Sequence, residues 1–125
     1  MSNQGSDEFQ DMLVDGRKLY VHVAEHVRDK WNANGNCQLV VGATYPAEMA
    51  EIRQLVGDEM VFLVPGFGAQ GGDIEATVRA GITTNGKGLI INSSRAIIYA
   101  SDGENFADAA HQKAVTSKEE INKYR

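Results

Sequence analysis

A chain of 125 residues, 42 % hydrophobic and 23 % charged, has the length and composition of one folded soluble domain and excludes a disordered protein. A net charge of −5, with no Lys/Arg cluster interleaved with aromatics, excludes a nucleic-acid partner held by counterion release, although a small anion can still bind locally. The single cysteine, Cys37, rules out an internal disulfide; with no apolar run of roughly 18 residues and no signal-like segment, a cytoplasmic protein without membrane contact is expected.

The first six residues are polar and turn-rich, and Ser6 followed by Asp7 and Glu8 reads as a helix start. Over residues 17–31, Leu19, Tyr20, Val23, Val27 and Trp31 recur at spacings of three and four. That predicts an amphipathic helix whose stripe, ending in Trp31, packs in the core and stops at Asn32-Ala33-Asn34-Gly35. Residues 38–44 (QLVVGAT) predict a short buried strand. Pro46 marks the start of a helix with Met49, Ile52, Leu55 and Val56 on its inner face. Residues 60–64 (MVFLV) are too few for a helix and lack polar alternation, which predicts a strand covered on both faces, followed by a helix over 74–81. Residues 88–92 (GLIIN) begin the pattern again. They lead through Ser93-Ser94-Arg95 into a final helix carrying Phe106, Ala110, Ala114, Ile121 and Tyr124.

Strands alternating with helices across short connections mean a parallel sheet of βα units. The expected class is α/β: about three complete units plus a preceding helix, the C-terminal half of an eight-stranded (β/α) barrel lacking its N-terminal half. Such a piece, residues 1–125 taken as one half-barrel of a single domain, leaves two strand edges and an apolar inner face uncovered.

The loop after the middle strand is the most distinctive stretch. Pro65 removes a backbone donor, and Gly66, Gly68, Gly71 and Gly72 allow close approach to a ligand. Asp73 then caps the next helix, where an anion is favoured. G-F-G-A-Q-G formally matches the dinucleotide fingerprint, but that reading needs an acid at the end of the next strand to hold a ribose, and the chain has Asn92-Ser93-Ser94-Arg95 there. A phosphate site shared by the last two strand-to-helix loops fits better. Arg95 supplies a charge-assisted contact, the backbone near Ser94 supplies amides, and Gln70 reaches over the phosphate as the loop closes. The plainer alternative is a tight glycine turn with Arg95 merely facing solvent.

P-G-F-G-A-Q-G-G-D, then I-I-N-S-S-R-A-I-I-Y-A, with V-V-G-A-T-Y-P upstream, resembles the C-terminal half of the orotidine 5′-phosphate decarboxylases of subfamily 2 over nearly the whole chain. The resemblance implies a TIM (β/α)8 barrel, a homodimer, and removal of CO2 from orotidine monophosphate to give UMP with neither metal nor organic cofactor. It also implies substrate-binding roles. Gln70 and Arg95 become phosphate ligands, Ser94 a backbone phosphate contact, Pro65 through Gly71 and Gly72 a mobile gate, and Ser2, with Asn3 beside it, a partner of the pyrimidine.

The family's reaction resembles electrostatic and acid–base work by two lysines and two aspartates on an Asp-x-Lys-x-x-Asp element and an earlier lysine. No Asp-x-Lys-x-x-Asp occurs in these residues. No catalytic residue is therefore expected in this chain, and turnover is expected only with the other half supplied in trans. Two other readings remain. One is a different phosphosugar barrel, such as a 3-keto-hexulose-phosphate synthase or a pentose-phosphate epimerase, which would lack N-S-S-R. The other is a non-catalytic half-barrel that pairs with itself. His22, Glu25 and His26 form H-x-x-E-H on an expected outer helix face, where a surface role rather than a metal site is expected. His111 is likewise read as a surface residue, Cys37 as a small packed thiol, and Tyr45 as an apolar cap on the barrel mouth.

Overall fold

A computed structural model of the chain describes residues 4–66 and 73–125. A 3-10 turn, Gln4–Ser6, leads into α1 (Asp7–Gln10), and a two-stranded hairpin follows, β1 (Leu13–Val14) against β2 (Arg17–Lys18). Asp15 and Gly16 turn it with φ of 51° and 78°, the left-handed pair that a two-residue hairpin loop requires and that Asp-Gly supplies. The hairpin takes Arg17 and Lys18 out of the expected helix, so α2 runs from Leu19 to His26 and ends in a π turn, Val27–Trp31.

The buried face of α2 also differs from the expected stripe. Tyr20, Val21, Ala24 and Val27 are buried, whereas Val23 is exposed and Trp31 is 61 % exposed, its ring edge-on to His26 at 5.1 Å. Two overlapping stripes satisfy the same spacing. Docking on the sheet selects the one containing Val21 and Ala24, and the wider π turn carries Trp31 off it.

The three strands β3 (Leu39–Val40), β4 (Phe62–Val64) and β5 (Leu89–Ile91) form a parallel sheet in that order. Between them lie α3 (Pro46–Val56), with Pro46 in its first turn, and α4 (Ile74–Gly81). The α3 helix packs on α2 and on α4. Phe62 and Val64 point into this helical layer and are fully buried with Met49, Met60 and Val78. The middle strand is thus covered on one face and not on both: Leu63, pointing the other way, is 38 % exposed. It was its continuous apolar run, usual for a strand inside a closed barrel, that suggested two-sided cover.

After β5 the chain forms α5 (Arg95–Ile98) and then the longer α6 (Phe106–Asn122), two pieces where one final helix was expected. Of that helix only Ser117 is buried, and Phe106 is exposed. Among the described residues no helix is long and apolar enough to cross a membrane.

Candidate functional site at the carboxyl ends of the strands

In a parallel βα sheet every strand-to-helix loop emerges at the same edge, so chemistry collects at the carboxyl ends of the strands. Here the loops are stitched together by backbone hydrogen bonds. The Ala43 amide donates to the Pro65 carbonyl at 3.1 Å, and the Asn92 amide donates to the Val64 carbonyl at 3.2 Å, so the ends of β3, β4 and β5 sit side by side. Pro65 brings no amide of its own to this edge, and Gly66 takes φ of 95°, which a residue with a side chain adopts only under strain.

Asp73 caps α4 as its position in the sequence suggested: its Oδ1 accepts from the Ala76 amide at 3.1 Å and its carbonyl from the Thr77 amide at 2.9 Å. Thr77 is itself buried, and its hydroxyl donates to the Ala43 carbonyl at 3.1 Å. The helix following the glycine loop is therefore pinned to the neighbouring strand end. Beyond β5, the Ser94 carbonyl accepts from the amides of Ile97 and Ile98, opening α5 and leaving the first amides of that turn without partners inside the helix. Ser94 and Arg95 are exposed, and among the described residues no carboxylate pairs with Arg95. A permanently charged fork beside helix-start amides, open to water, can grip an anion.

Of the residues singled out in the sequence, Pro65, Ser94 and Arg95 lie at this one edge. Ser2, Asn3, Gln70 and Gly71 lie outside the described residues, as does the gate between Gly66 and Asp73. Tyr45 does more than cap the mouth. Its hydroxyl donates to the Asp7 carboxylate at 3.1 Å, and burial, reinforced by that hydrogen bond, pushes the phenol above its ordinary range. Asp7 and Thr77 were missed because their partners are 38 and 34 residues away, and no local pattern marks them.

The H-x-x-E-H residues are engaged elsewhere. Arg17 grips Glu25 through two hydrogen bonds of 2.7 and 3.0 Å, which holds that carboxyl below its ordinary range, and His22 Nε2 lies 2.7 Å from the Val14 carbonyl. Among the described residues no three His, Cys, Asp or Glu side chains are placed to hold a metal. The half-buried Cys37 donates its thiol to the Trp31 carbonyl at 3.3 Å.

Parallel βα units with an anion grip across adjoining strand ends define part of a phosphate-binding (β/α) barrel. More narrowly, the chain belongs to the orotidine 5′-phosphate decarboxylase / HUMPS family, which matches residues 1–110. It is 60 % identical over 124 residues to an orotidine 5′-phosphate decarboxylase of Azoarcus sp., covering 99 % of this chain and 46 % of that protein. A decarboxylase of Janthinobacterium sp. is 59 % identical over 123 residues, with 98 % and 45 % covered. Among solved structures, Leishmania donovani UMP synthase superposes with a TM-score of 0.81 at 40 % identity, covering 96 % of this chain and 25 % of that one. The Leishmania donovani OMP decarboxylase superposes with a TM-score of 0.76 at 35 % identity, covering 97 % and 45 %. The chain thus spans about half the length of the curated relatives it matches.

Proposed function

We propose that this chain is the C-terminal, phosphate-gripping half of an orotidine 5′-phosphate decarboxylase, acting on orotidine monophosphate to give UMP and CO2 in pyrimidine biosynthesis, in the cytoplasm. In this reading residues 1–125 are one half of a single barrel domain. Arg95 and Gln70 hold the phosphate dianion, a backbone amide at Ser94 adds a third contact, Pro65 through Gly71 closes over it, and Ser2 meets the pyrimidine. No step of bond breaking falls to a residue of this chain. The charge array that favours a carbanion over the departing carboxylate belongs to the half carrying Asp-x-Lys-x-x-Asp, which joins this half within one barrel or in trans, and two such barrels pair as a homodimer.

The observation that carries the reading is the adjacency of the two loops: the Asn92 amide on the Val64 carbonyl sets the approach to Arg95 directly beside Pro65. N-S-S-R after the last strand favours a nucleotide over the sugar phosphates of the sister barrels. The test is Arg95→Ala in the complete enzyme. Loss of a charged hydrogen bond worth ~2–4 kcal/mol in the transition state lowers kcat/KM by roughly 30- to 1000-fold. Unchanged kinetics on orotidine monophosphate would overturn the assignment. Tighter binding of ribulose 5-phosphate than of UMP by the wild type would move it to a sister activity.

A further inference from the structure

We infer that the helix-free face of the three-stranded sheet is a docking surface for a second copy of this chain. The inference deepens the self-association named above: it rests on the half-barrel architecture and is independent of the phosphate site, so binding of UMP and formation of the pair can fail separately.

The face is a single register row. Val40 pairs with Leu63 and Leu63 with Ile90 across the sheet, and the three side chains are 63 %, 38 % and 58 % exposed. They stand on the side opposite Phe62 and Val64, so the row is unbroken from one edge strand to the other. Single exposed apolar side chains are ordinary, whereas a contiguous strip of β-branched and aliphatic residues marks a binding surface.

Both ends of the row run into further unfilled apolar space. At the β3 edge a cavity of about 100 Å³ lies between Val40, Val41 and the α2 residues Val23 and Ala24. At the β5 edge one of about 430 Å³ lies between Leu89, Ile91, Ile97 and Ile121. The surface area agrees. The chain exposes 7799 Å², about 1,200 Å² more than the ~6,600 Å² of a compact monomer of its mass, and a standard interface removes about 800 Å² from each partner.

A second copy is the occupant that this geometry fits. β3 and β5 are both edge strands of a wholly parallel sheet, and neither edge is paired in the described chain. A two-fold axis running along the strands brings the β3 edge of one copy to the β5 edge of the other, and the reverse, with every strand still parallel. The two rows then face each other across the axis. That contact is isologous and closes at two, burying both edges and both rows in one operation.

Sedimentation velocity on the 125-residue chain, from low to high micromolar, tests this. The wild type sediments as a dimer. Leu63→Lys, which puts a charge into the buried row, weakens the pair at least ~100-fold with an unchanged far-ultraviolet spectrum. Lys113→Glu on the outer side of α6 leaves it intact. Should Leu63→Lys unfold, Ile90→Thr, which keeps β-propensity and adds one hydroxyl, weakens the pair about tenfold. A wild-type monomer throughout, growth beyond the dimer, or a dimer indifferent to the row substitution that folds overturns the proposal. UMP binding by the monomeric variant leaves the decarboxylase reading standing by itself.

Discussion

Arg53 is the residue whose loss should cost the fold most. It projects from α3 into the amino-terminal end of the sheet, 8 % exposed, and donates to four backbone carbonyls: Nε to Gly81 at 2.8 Å, Nη1 to Gly57 at 2.8 Å and Met60 at 2.7 Å, and Nη2 to Gly88 at 3.1 Å. These belong to the end of α3, the end of α4 and the approaches to β4 and β5, so one guanidinium ties four chain segments together. Its carbon lies 3.8 Å from the centre of the Phe62 ring, and burial holds its pKa below the ordinary value. Arg53→Met keeps the length and apolar stem and removes every donor. The Gly57 and Gly88 carbonyls are partly exposed and can turn to water. Those of Gly81 and Met60 are buried, and each orphaned acceptor costs ~1–3 kcal/mol. The relief of desolvating a charge and the volume kept by Met offset part of this, leaving about 2–5 kcal/mol against a total of ~6–19 kcal/mol for a domain of this size. Arg53→Lys, a point donor reaching two carbonyls at most, should fall between. Urea unfolding followed by circular dichroism measures both. A Met variant with the wild-type midpoint, or a Lys variant equal to wild type, would show that the four bonds contribute nothing net.

Gly81→Ala should destabilise by ~1–3 kcal/mol in thermal or urea unfolding, because a Cβ there would meet Met49 Sδ at 2.6 Å and Leu89 Cδ2 at 2.8 Å in a filled core. Asp73→Ala should cost ~1 kcal/mol by removing the acceptor for the Ala76 amide, and Asp73→Asn should recover most of it. The Glu25 carboxyl is depressed first by its hydrogen bond to Arg17, so its favourable contribution is present above the ordinary carboxylate pKa and fades as pH falls through the lower folded value. Arg17→Gln should return the Glu25 titration, followed by carboxyl-carbon NMR, to the ordinary range and flatten stability in that acid window.

Much of this protein could be read from the chain because its signals are local. Alternating apolar runs and helical stripes set the βα order, Pro46 and Asp73 marked helix starts, and N-S-S-R placed a cation after the last strand. Where two local solutions competed, the reading slipped. Asp15-Gly16 is a hairpin signal that lost to the helical spacing beginning at Arg17, and Val23 and Val21 offered equally periodic stripes. The site was legible in kind and not in assembly: Arg95 and Pro65 are 30 positions apart, and only pairing of β4 with β5 makes them neighbours.

Local chemistry along the chain, then, settled which segments become strands, which become helices, and which loop carries glycines beside a cation, since propensity and periodicity act over a few residues. Which side of each element is covered was decided in three dimensions. Phe62 and Leu63 are adjacent and both apolar, yet α3 and α4 dock on one face alone, so one side chain is sealed and the next stands in water. The Arg53 clamp, the Tyr45–Asp7 tether and the Thr77 pin likewise exist only once segments far apart in sequence have packed, because a buried donor takes whichever carbonyl or carboxylate the fold brings within reach.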